Sequence, residues 1–241
     1  MTDQKIHPHI PAALLQAIDP LLKSGRRCLL GLVGAPGAGK STLAAALQQQ
    51  LGALAQVVPM DGFHLANAEL QRLGLAQRKG APDTFDSAGY VALLRRLRDQ
   101  QPGERIYAPE FRRELEEPIA GAIGVDAQTR LVITEGNYLL LDQGHWAEVA
   151  GLLDAAWYVE PDESLRLQRL LQRHMAFGRS EQAARDWIAS TDEPNARLIQ
   201  ASAASALRPK RMWRRCSRCR RSPSSTSTYQ ASSSRGAPAF Q

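Results

Sequence analysis

The sequence predicts an α/β fold in which helices flank a parallel β-sheet of the P-loop NTPase type. Short apolar runs without polar alternation are typical of strands buried on both faces, and here they alternate with helical patterns along the chain. The first run leads directly into a glycine-rich segment and then a helix. Strands that alternate with helices imply βαβ units with right-handed crossovers.

Each element follows from a local pattern. The strand candidates are short apolar runs at residues 28–33, 56–60, 130–134 and 154–159. Residues 11–23 have helical spacing, although we expect Pro20 to interrupt that helix. Three further helices are predicted at residues 41–51, 88–98 and 163–178, and the last begins after Pro161-Asp162, a natural helix start.

Composition and charge exclude several classes of protein. No apolar run approaches the ~18 residues of a membrane span, and three cysteines cannot build a disulfide framework. Nine of the 30 lysines and arginines lie in residues 201–241, which hold no acidic residue. Residues 1–200 therefore carry 21 basic against 24 acidic side chains, so the body of the chain gives no basis for a nucleic-acid partner, which we do not expect. We expect a cytoplasmic protein with no membrane partner.

A phosphate-binding motif is the strongest signal. The phosphate loop, residues 34–41 (GAPGAGKS), fits GxxxxGK[ST] and lies between a predicted strand and a predicted helix. Glycines let backbone N–H groups turn towards a phosphate, and the helix N-terminus adds its dipole. We expect Lys40 on the β- and γ-phosphates of ATP and Ser41 on Mg²⁺. The alternative is a glycine-rich turn without a ligand. The predicted nucleotide-binding residues are Gly34, Ala35, Pro36, Gly37, Ala38, Gly39, Lys40, Ser41 and Thr42.

Two acids follow predicted strands, at the edge of a doubly wound sheet where ligands bind. Glu135 comes after RLVIT, where an acid can hold Mg²⁺ directly or through water. Asp61 comes after QVVPM, and beside a phosphate loop it could take a proton from an acceptor hydroxyl. A strand-end aspartate is also often a helix cap, and this alternative stays open for Asp61.

The helix at residues 163–178 is rich in arginine. Arg166, Arg169 and Arg173 are spaced i, i+3 and i+7, so they share one face. Phosphoryl transfer spreads negative charge over the γ-phosphoryl oxygens, and arginines on a mobile lid can neutralise that charge. The alternative is a solvated basic face.

Six segments in order carry a family resemblance: GAPGAGKST, DGFH, RKGAPDTFD, VITEGNYLLLD, RLQRLLQRH and TDEPNARLI. They resemble the P-loop kinases related to phosphoribulokinase, uridine kinase and bacterial pantothenate kinase. Within that group they are most similar to the nucleoside/nucleotide kinase branch, which includes proteins labelled fructose-transport kinases. The resemblance implies a five-stranded parallel sheet and ATP on the phosphate loop. It implies Asp61 as catalytic base and Glu135 as the Mg²⁺-associated acid. Arg166, Arg169 and Arg173 would then belong to the lid.

The acceptor-side segments depart from that pattern. Uridine kinases resemble NFDHPDAFD where this chain has RKGAPDTFD, so Gly80 stands where their ribose-binding aspartate would be. A glycine has no side chain to accept from a diol, which disfavours a ribonucleoside. Arg78, Lys79, Arg112 and Arg113 could together bind an anionic acceptor, or be plain surface charge. His64 and Tyr107 are weaker acceptor-pocket candidates.

The C-terminal segment is a second departure. No run of four apolar residues follows Leu207, where the family has another strand, and the composition changes to serine and arginine. We therefore expect a kinase domain at residues 1–206 whose sheet lacks its edge strand. Residues 207–241 are then a basic, disordered tail, consistent with a frameshifted or truncated gene end. A basic arm that binds nucleic acid is the alternative.

The sequence thus predicts an ATP-dependent kinase that phosphorylates a hydroxyl of a small molecule, such as a sugar, a pantothenate-like or a nucleoside-like acceptor. A nucleotide-dependent switch or a transport-associated ATPase without such an acceptor is the alternative.

Overall fold

The computed structural model describes residues 10–206 and 213–216. Its main sheet has five parallel strands with β1 (Cys28–Val33) at the centre. On one side lie β5 (Leu131–Gly136) and then β2 (Ala55–Pro59), and on the other β6 (Ala155–Val159) and then β7 (Trp213–Cys216). All four strands predicted from apolar runs are present, within one or two residues of the predicted bounds.

Eight helices lie in the described residues: α1 (Ala12–Leu22), α2 (Lys40–Leu51), α3 (Asn67–Arg72), α4 (Ser87–Arg98), α5 (Trp146–Leu152), α6 (Glu163–Ala176), α7 (Glu181–Trp187) and α8 (Glu193–Ala206). A π-helical segment, Ile188–Asp192, joins α7 to α8. The helix α1 continues through Pro20, which the sequence analysis expected to interrupt it. Pro20 costs the helix one N–H···O bond, to the carbonyl of residue 16, and the burial of Ile18 and Leu21 beside it offsets that cost.

The core consists of two hydrophobic clusters, one on each face of the sheet. Leu29 and Val33 of β1 belong to the cluster that includes α4, α5 and α8. Cys28, Leu30 and Leu32 belong to the cluster that includes α1 and α2. Both faces of β1 are therefore buried, which explains why its sequence is apolar without alternation.

A two-stranded antiparallel hairpin of β3 (Ile106–Arg112) and β4 (Glu117–Val125) was not predicted from the sequence. Its pairing register shifts at a bulge between Ala108 and Glu110. The turn that follows β2 packs against this hairpin: a Cβ on Gly62 would lie 2.3 Å from the carbonyl oxygen of Pro109.

The α/β fold is as predicted, but the expectation of a missing edge strand is corrected. The backbone of β7 pairs in parallel with β6, from Ala156 opposite Trp213 to Val159 opposite Cys216. An edge strand needs no apolar run, because its ladder uses backbone groups that every residue except proline carries in full. Residues 207–212 and 217–241, and with them the predicted disorder and the basic-arm alternative, lie outside the described residues. Within the described part of the chain, no helix is both long and apolar enough to cross a membrane.

Candidate active site

A cavity of about 760 Å³ opens at the carboxyl ends of β1, β2 and β5. The phosphate loop forms one wall, the hairpin and the segment before α4 form another, and α6 with the π-helical segment forms a third. The lining residues used below are Pro36, Lys40, Ser41, Asp61, His64, Lys79, Phe85, Phe111, Arg113, Glu116, Glu135, Asn137, Arg173, His174 and Asp192. The carboxyl end of a parallel sheet is where ligands bind in such folds.

The phosphate loop has the backbone that its glycines predict. Gly37 and Gly39 adopt left-handed φ angles of +78° and +92°. A Cβ on Gly34 would lie 2.6 Å from the carbonyl oxygen of Val159, so this position has no room for a side chain. Gly39 is the N-cap of α2, whose first-turn N–H groups face the loop. The loop therefore has the local structure of an anion cradle.

Lys40 is held by neutral acceptors. Its Nζ donates to the carbonyl oxygens of Gly34 at 2.9 Å and Ala35 at 3.2 Å, and to Oδ1 of Asn137 at 2.8 Å. Burial lowers the pKa of Lys40, and the negative charges of Glu135 and Asp61 oppose that effect. No carboxylate of the described chain lies within ion-pair distance of Nζ, so its charge is available to phosphate oxygens.

Ser41 and Glu135 meet directly. Ser41 Oγ donates to Glu135 Oε1 at 2.8 Å, across the gap between α2 and β5. Glu135 is buried, and burial followed by the nearby charge of Asp61 raises the pKa of its carboxyl. A hydroxyl and a carboxylate beside a phosphate cradle are hard oxygen donors, so these residues fit Mg²⁺.

Asp61 lies in the short 3₁₀ turn Met60–Phe63 that follows β2. Its side chain is 30% exposed, and its carboxylate contacts Nη2 of Arg113 at 3.4 Å. Neither this turn nor α3 has a side-chain cap, so the helix-cap alternative for Asp61 is not supported. The carboxylate is left accessible from the cavity.

The ring of His64 is packed between aromatic rings and hydrogen-bonded to the backbone. Its ring lies between Phe85 and Phe111, with centroid distances of 4.0 and 4.7 Å. Nδ1 lies 2.7 Å from the carbonyl oxygen of Asp61, so the neutral ring donates there. Burial lowers the pKa of His64, which keeps the ring neutral. It thereby fixes the turn that presents Asp61.

The three lid arginines of α6 have three different environments. Arg166 is buried and donates to Glu163, to Glu193 and to the carbonyl oxygen of Pro36. Arg169 is exposed, with Nη1 3.3 Å from the position of a Cβ on Gly39. Arg173 alone lines the cavity. Arg166 therefore ties the lid helix to the phosphate loop, whereas Arg169 and Arg173 remain available to an anion.

Three acceptor candidates lie outside the cavity. Arg78 pairs with Asp83 at 2.8 Å on the surface, Tyr107 is 57% exposed, and Arg112 pairs with Glu110 at 2.7 Å. Strict strand alternation from buried Ala108 would place Arg112 on the inner face. The pairing register shifts between Ala108 and Glu110, and beyond this irregularity Phe111 and Arg113 line the cavity instead.

Several lining residues have no role that the sequence predicts. Asn137 follows the EG pair of β5, and its contact with Lys40 gives no local sequence signal. His174 Nε2 pairs with Asp192 Oδ2 at 2.8 Å, joining α6 to the π-helical segment. Asp192 lies in the TDEPN segment, which is part of the family resemblance. That resemblance was the sequence signal that could have identified Asp192 as a site residue.

Comparison with known proteins agrees with this geometry. The model of the phosphoribulokinase / uridine kinase family matches residues 29–204. The Escherichia coli protein YggC is 37% identical over 193 residues, covering 78% of this chain and 77% of that protein. A Schizosaccharomyces pombe protein named as a uridine kinase is 36% identical over 167 residues, or 66% of this chain and 71% of that protein.

Solved structures of proteins described as kinases also match this chain. A Silicibacter sp. TM1040 protein, whose description assigns it to fructose transport system kinases, is 42% identical with a TM-score of 0.71. The alignment covers 80% of this chain and 95% of that one. Saccharomyces cerevisiae YFH7, described as a P-loop kinase, shares the fold with a TM-score of 0.68 at 20% identity over 85% of this chain and 97% of its own.

Proposed function

Because the chain belongs to the phosphoribulokinase / uridine kinase family and is an ATP-dependent kinase, we propose that it phosphorylates a hydroxyl of a small molecule with Asp61 as base. One observation carries this proposal. The accessible carboxylate of Asp61 and the phosphate-loop residues Lys40 and Ser41 line the same cavity. ATP use requires a supply of Mg·ATP, which supports the cytoplasmic location expected from the sequence.

The phosphate loop is the proposed site of the ATP phosphates. Backbone N–H groups of residues 34–41 and the N-terminus of α2 would face them, and Lys40 would exchange its carbonyl and amide acceptors for the β- and γ-phosphate oxygens. Ser41 and Glu135 would hold Mg²⁺, which when bound neutralises part of the phosphate charge.

Asp61 is proposed to orient the acceptor hydroxyl and accept its proton. The acceptor oxygen then forms a bond to the γ-phosphorus, the bond from that phosphorus to the bridging oxygen breaks, and ADP leaves. Arg173, and Arg169 beside the loop, would neutralise the charge on the phosphoryl group in transfer. Arg166 is a positioning residue, because its guanidinium is occupied by Glu163, Glu193 and Pro36.

The test is ADP release by the purified chain across a panel of pantothenate, nucleosides, hexoses, pentoses and sugar phosphates. Stimulation by one compound class is expected, and Asp61→Asn should abolish it while Mg·ATP binding stays within about twofold of wild type. Basal hydrolysis that no acceptor stimulates and that Asp61→Asn does not change would contradict the proposal. That result would favour the alternative of a switch or an ATPase.

A further inference from the structure

The charged side chains on the acceptor side of the cavity are matched to partners within the described residues, except Arg113 and Arg173. Lys79 Nζ donates to Oδ1 of Asn67 at 2.6 Å and to the carbonyl oxygen of Glu116 at 2.5 Å. His174 and Asp192 pair with each other at 2.8 Å. Arg113 has five N–H donors, yet within the described residues its guanidinium makes one polar contact, the 3.4 Å approach to Asp61. Charge-assisted N–H···O bonds are typically about 2.7–2.9 Å long, so this contact is loose.

Arg113 lies on the hairpin wall of the cavity. It directly follows β3 and lines the cavity, and its guanidinium lies over the Phe111 ring at 5.9 Å. The lid arginines approach from the opposite element, α6. Arg113 thus stands beside Asp61 on the hairpin wall, where the group next to the reacting hydroxyl would be, and its charge also acts on Lys40 and Glu135.

A second guanidinium strengthens the anion-binding character of this place. Arg173 is half-buried in the cavity wall, and burial together with the positive charge of Arg113 lowers its pKa. The opposing charges of Asp192, Asp61 and Glu116 are weaker influences on Arg173. Two guanidinium groups that repel each other across a cavity are relieved by an anion between them.

We propose that Arg113 is the specificity-determining residue of the acceptor site and binds a carboxylate or phosphate group that the acceptor carries besides its reacting hydroxyl. This inference rests on the proposed kinase function. The acceptor's anion would replace the loose contact between Arg113 and Asp61. The Asp61 carboxylate is then free to accept the hydroxyl proton.

The test uses acceptor pairs that differ only in the anionic group: glycerate and glycerol, pantothenate and pantothenyl alcohol, fructose 6-phosphate and fructose. The charged member of a pair should stimulate ADP release, and the carboxylate and phosphate arms distinguish the two anions. Arg113→Gln should raise the acceptor KM about 10- to 100-fold and leave the KM for ATP within about twofold. Arg112→Gln, the adjacent surface arginine, is the matched control and should change neither.

A second measurement does not require turnover. With the protein saturated by a non-hydrolysable ATP analogue and Mg²⁺, inorganic sulfate at constant ionic strength should raise Tm in wild type and in Arg112→Gln, but less in Arg113→Gln. A neutral acceptor that is phosphorylated equally well, or an unchanged acceptor KM in Arg113→Gln, overturns the inference and leaves the kinase function standing. If no acceptor stimulates ADP release, the inference is also overturned when sulfate raises the Tm of Arg113→Gln as much as that of Arg112→Gln. Loss of ATP-analogue binding by wild type would instead contradict the proposed function.

Discussion

Asn137 Oδ1 accepts a hydrogen bond from Lys40 Nζ at 2.8 Å, so a side chain at the end of β5 holds the phosphate-loop lysine. The other two acceptors of that ammonium are carbonyl oxygens of the loop itself. All three are uncharged, and a phosphate oxygen can therefore replace any of them with a gain in electrostatic attraction. The amide maintains the lysine near the loop without competing strongly with a nucleotide.

Placing a charge at this position should weaken nucleotide binding. In Asn137→Asp a carboxylate would meet the buried ammonium, and ATP would have to break that ion pair while approaching a new negative charge. We expect the Kd for Mg·ATP to rise at least about tenfold, the value of one charge-assisted bond. Asn137→Ala should change it by less than about threefold. Equal weakening in both variants, measured by calorimetry, would show that the amide itself contacts the nucleotide.

Glu135 should make stability depend on pH. Burial, and then the charge of Asp61, raises the pKa of its carboxyl in the folded state above the unfolded value. A raised pKa contributes stability that is present below the unfolded pKa and is lost as pH rises through the folded pKa. The ionised carboxyl of Glu135 therefore costs stability at about pH 8, in the absence of a cation.

Glu135→Gln removes that cost, so its Tm without Mg²⁺ should exceed that of wild type at about pH 8, and the gain should shrink towards about pH 5. Each kcal/mol gained corresponds to about 2–4 °C in a chain of this size. The variant should also lose the rise in Tm that Mg·ATP gives wild type. Scanning calorimetry measures both effects, and a variant less stable than wild type at every pH would contradict this reading.

The parallel sheet and the phosphate loop were predictable because their signals are local. An apolar run such as residues 28–33 reports burial on both faces, and the glycines of the loop report backbone angles that other residues avoid. Asp61 and Glu135 were found for the same reason, since each directly follows such a run. The order of the strands in the sheet then places Asp61 and Glu135 beside the phosphate loop.

The acceptor wall could not be predicted in the same way. The register shifts between Ala108 and Glu110, and beyond it Arg113 and not Arg112 lines the cavity. Pro109 at that point is compatible with an irregular strand, but it does not indicate which later side chains face inwards. The burial of Arg166 depends on Glu193, which lies 27 residues along the chain. Helical spacing placed Arg166, Arg169 and Arg173 on one face but could not tell which of them meets a protein partner.

The different environments of the lid arginines predict opposite consequences for stability and catalysis. Arg166→Gln breaks a buried guanidinium cluster and should cost about 3 kcal/mol, or about 6–12 °C in Tm. Arg169→Gln removes an exposed side chain and should change stability by less than about 0.5 kcal/mol, while kcat falls about tenfold or more. Thermal unfolding and steady-state kinetics on both variants test this. An Arg166→Gln variant as stable as wild type would contradict the positioning role of Arg166.

Gly62 determines how closely the Asp61 turn approaches the hairpin, and it provides a test of geometry without a change of charge. A Cβ there would lie 2.3 Å from the carbonyl oxygen of Pro109 and 2.7 Å from its carbonyl carbon, so the turn must move in Gly62→Ala. Misplacement of a base by about 1 Å can cost about 100-fold in rate, and we expect kcat to fall at least tenfold with the Kd for Mg·ATP within about twofold.

Gly151→Ala in α5 is the matched control, because a Cβ there meets no atom within 4 Å and alanine favours a helix. Its kcat should equal that of wild type. If Gly62→Ala retained full kcat, the position of the Asp61 turn would not limit the reaction, and Asp61 would lose its place as the base.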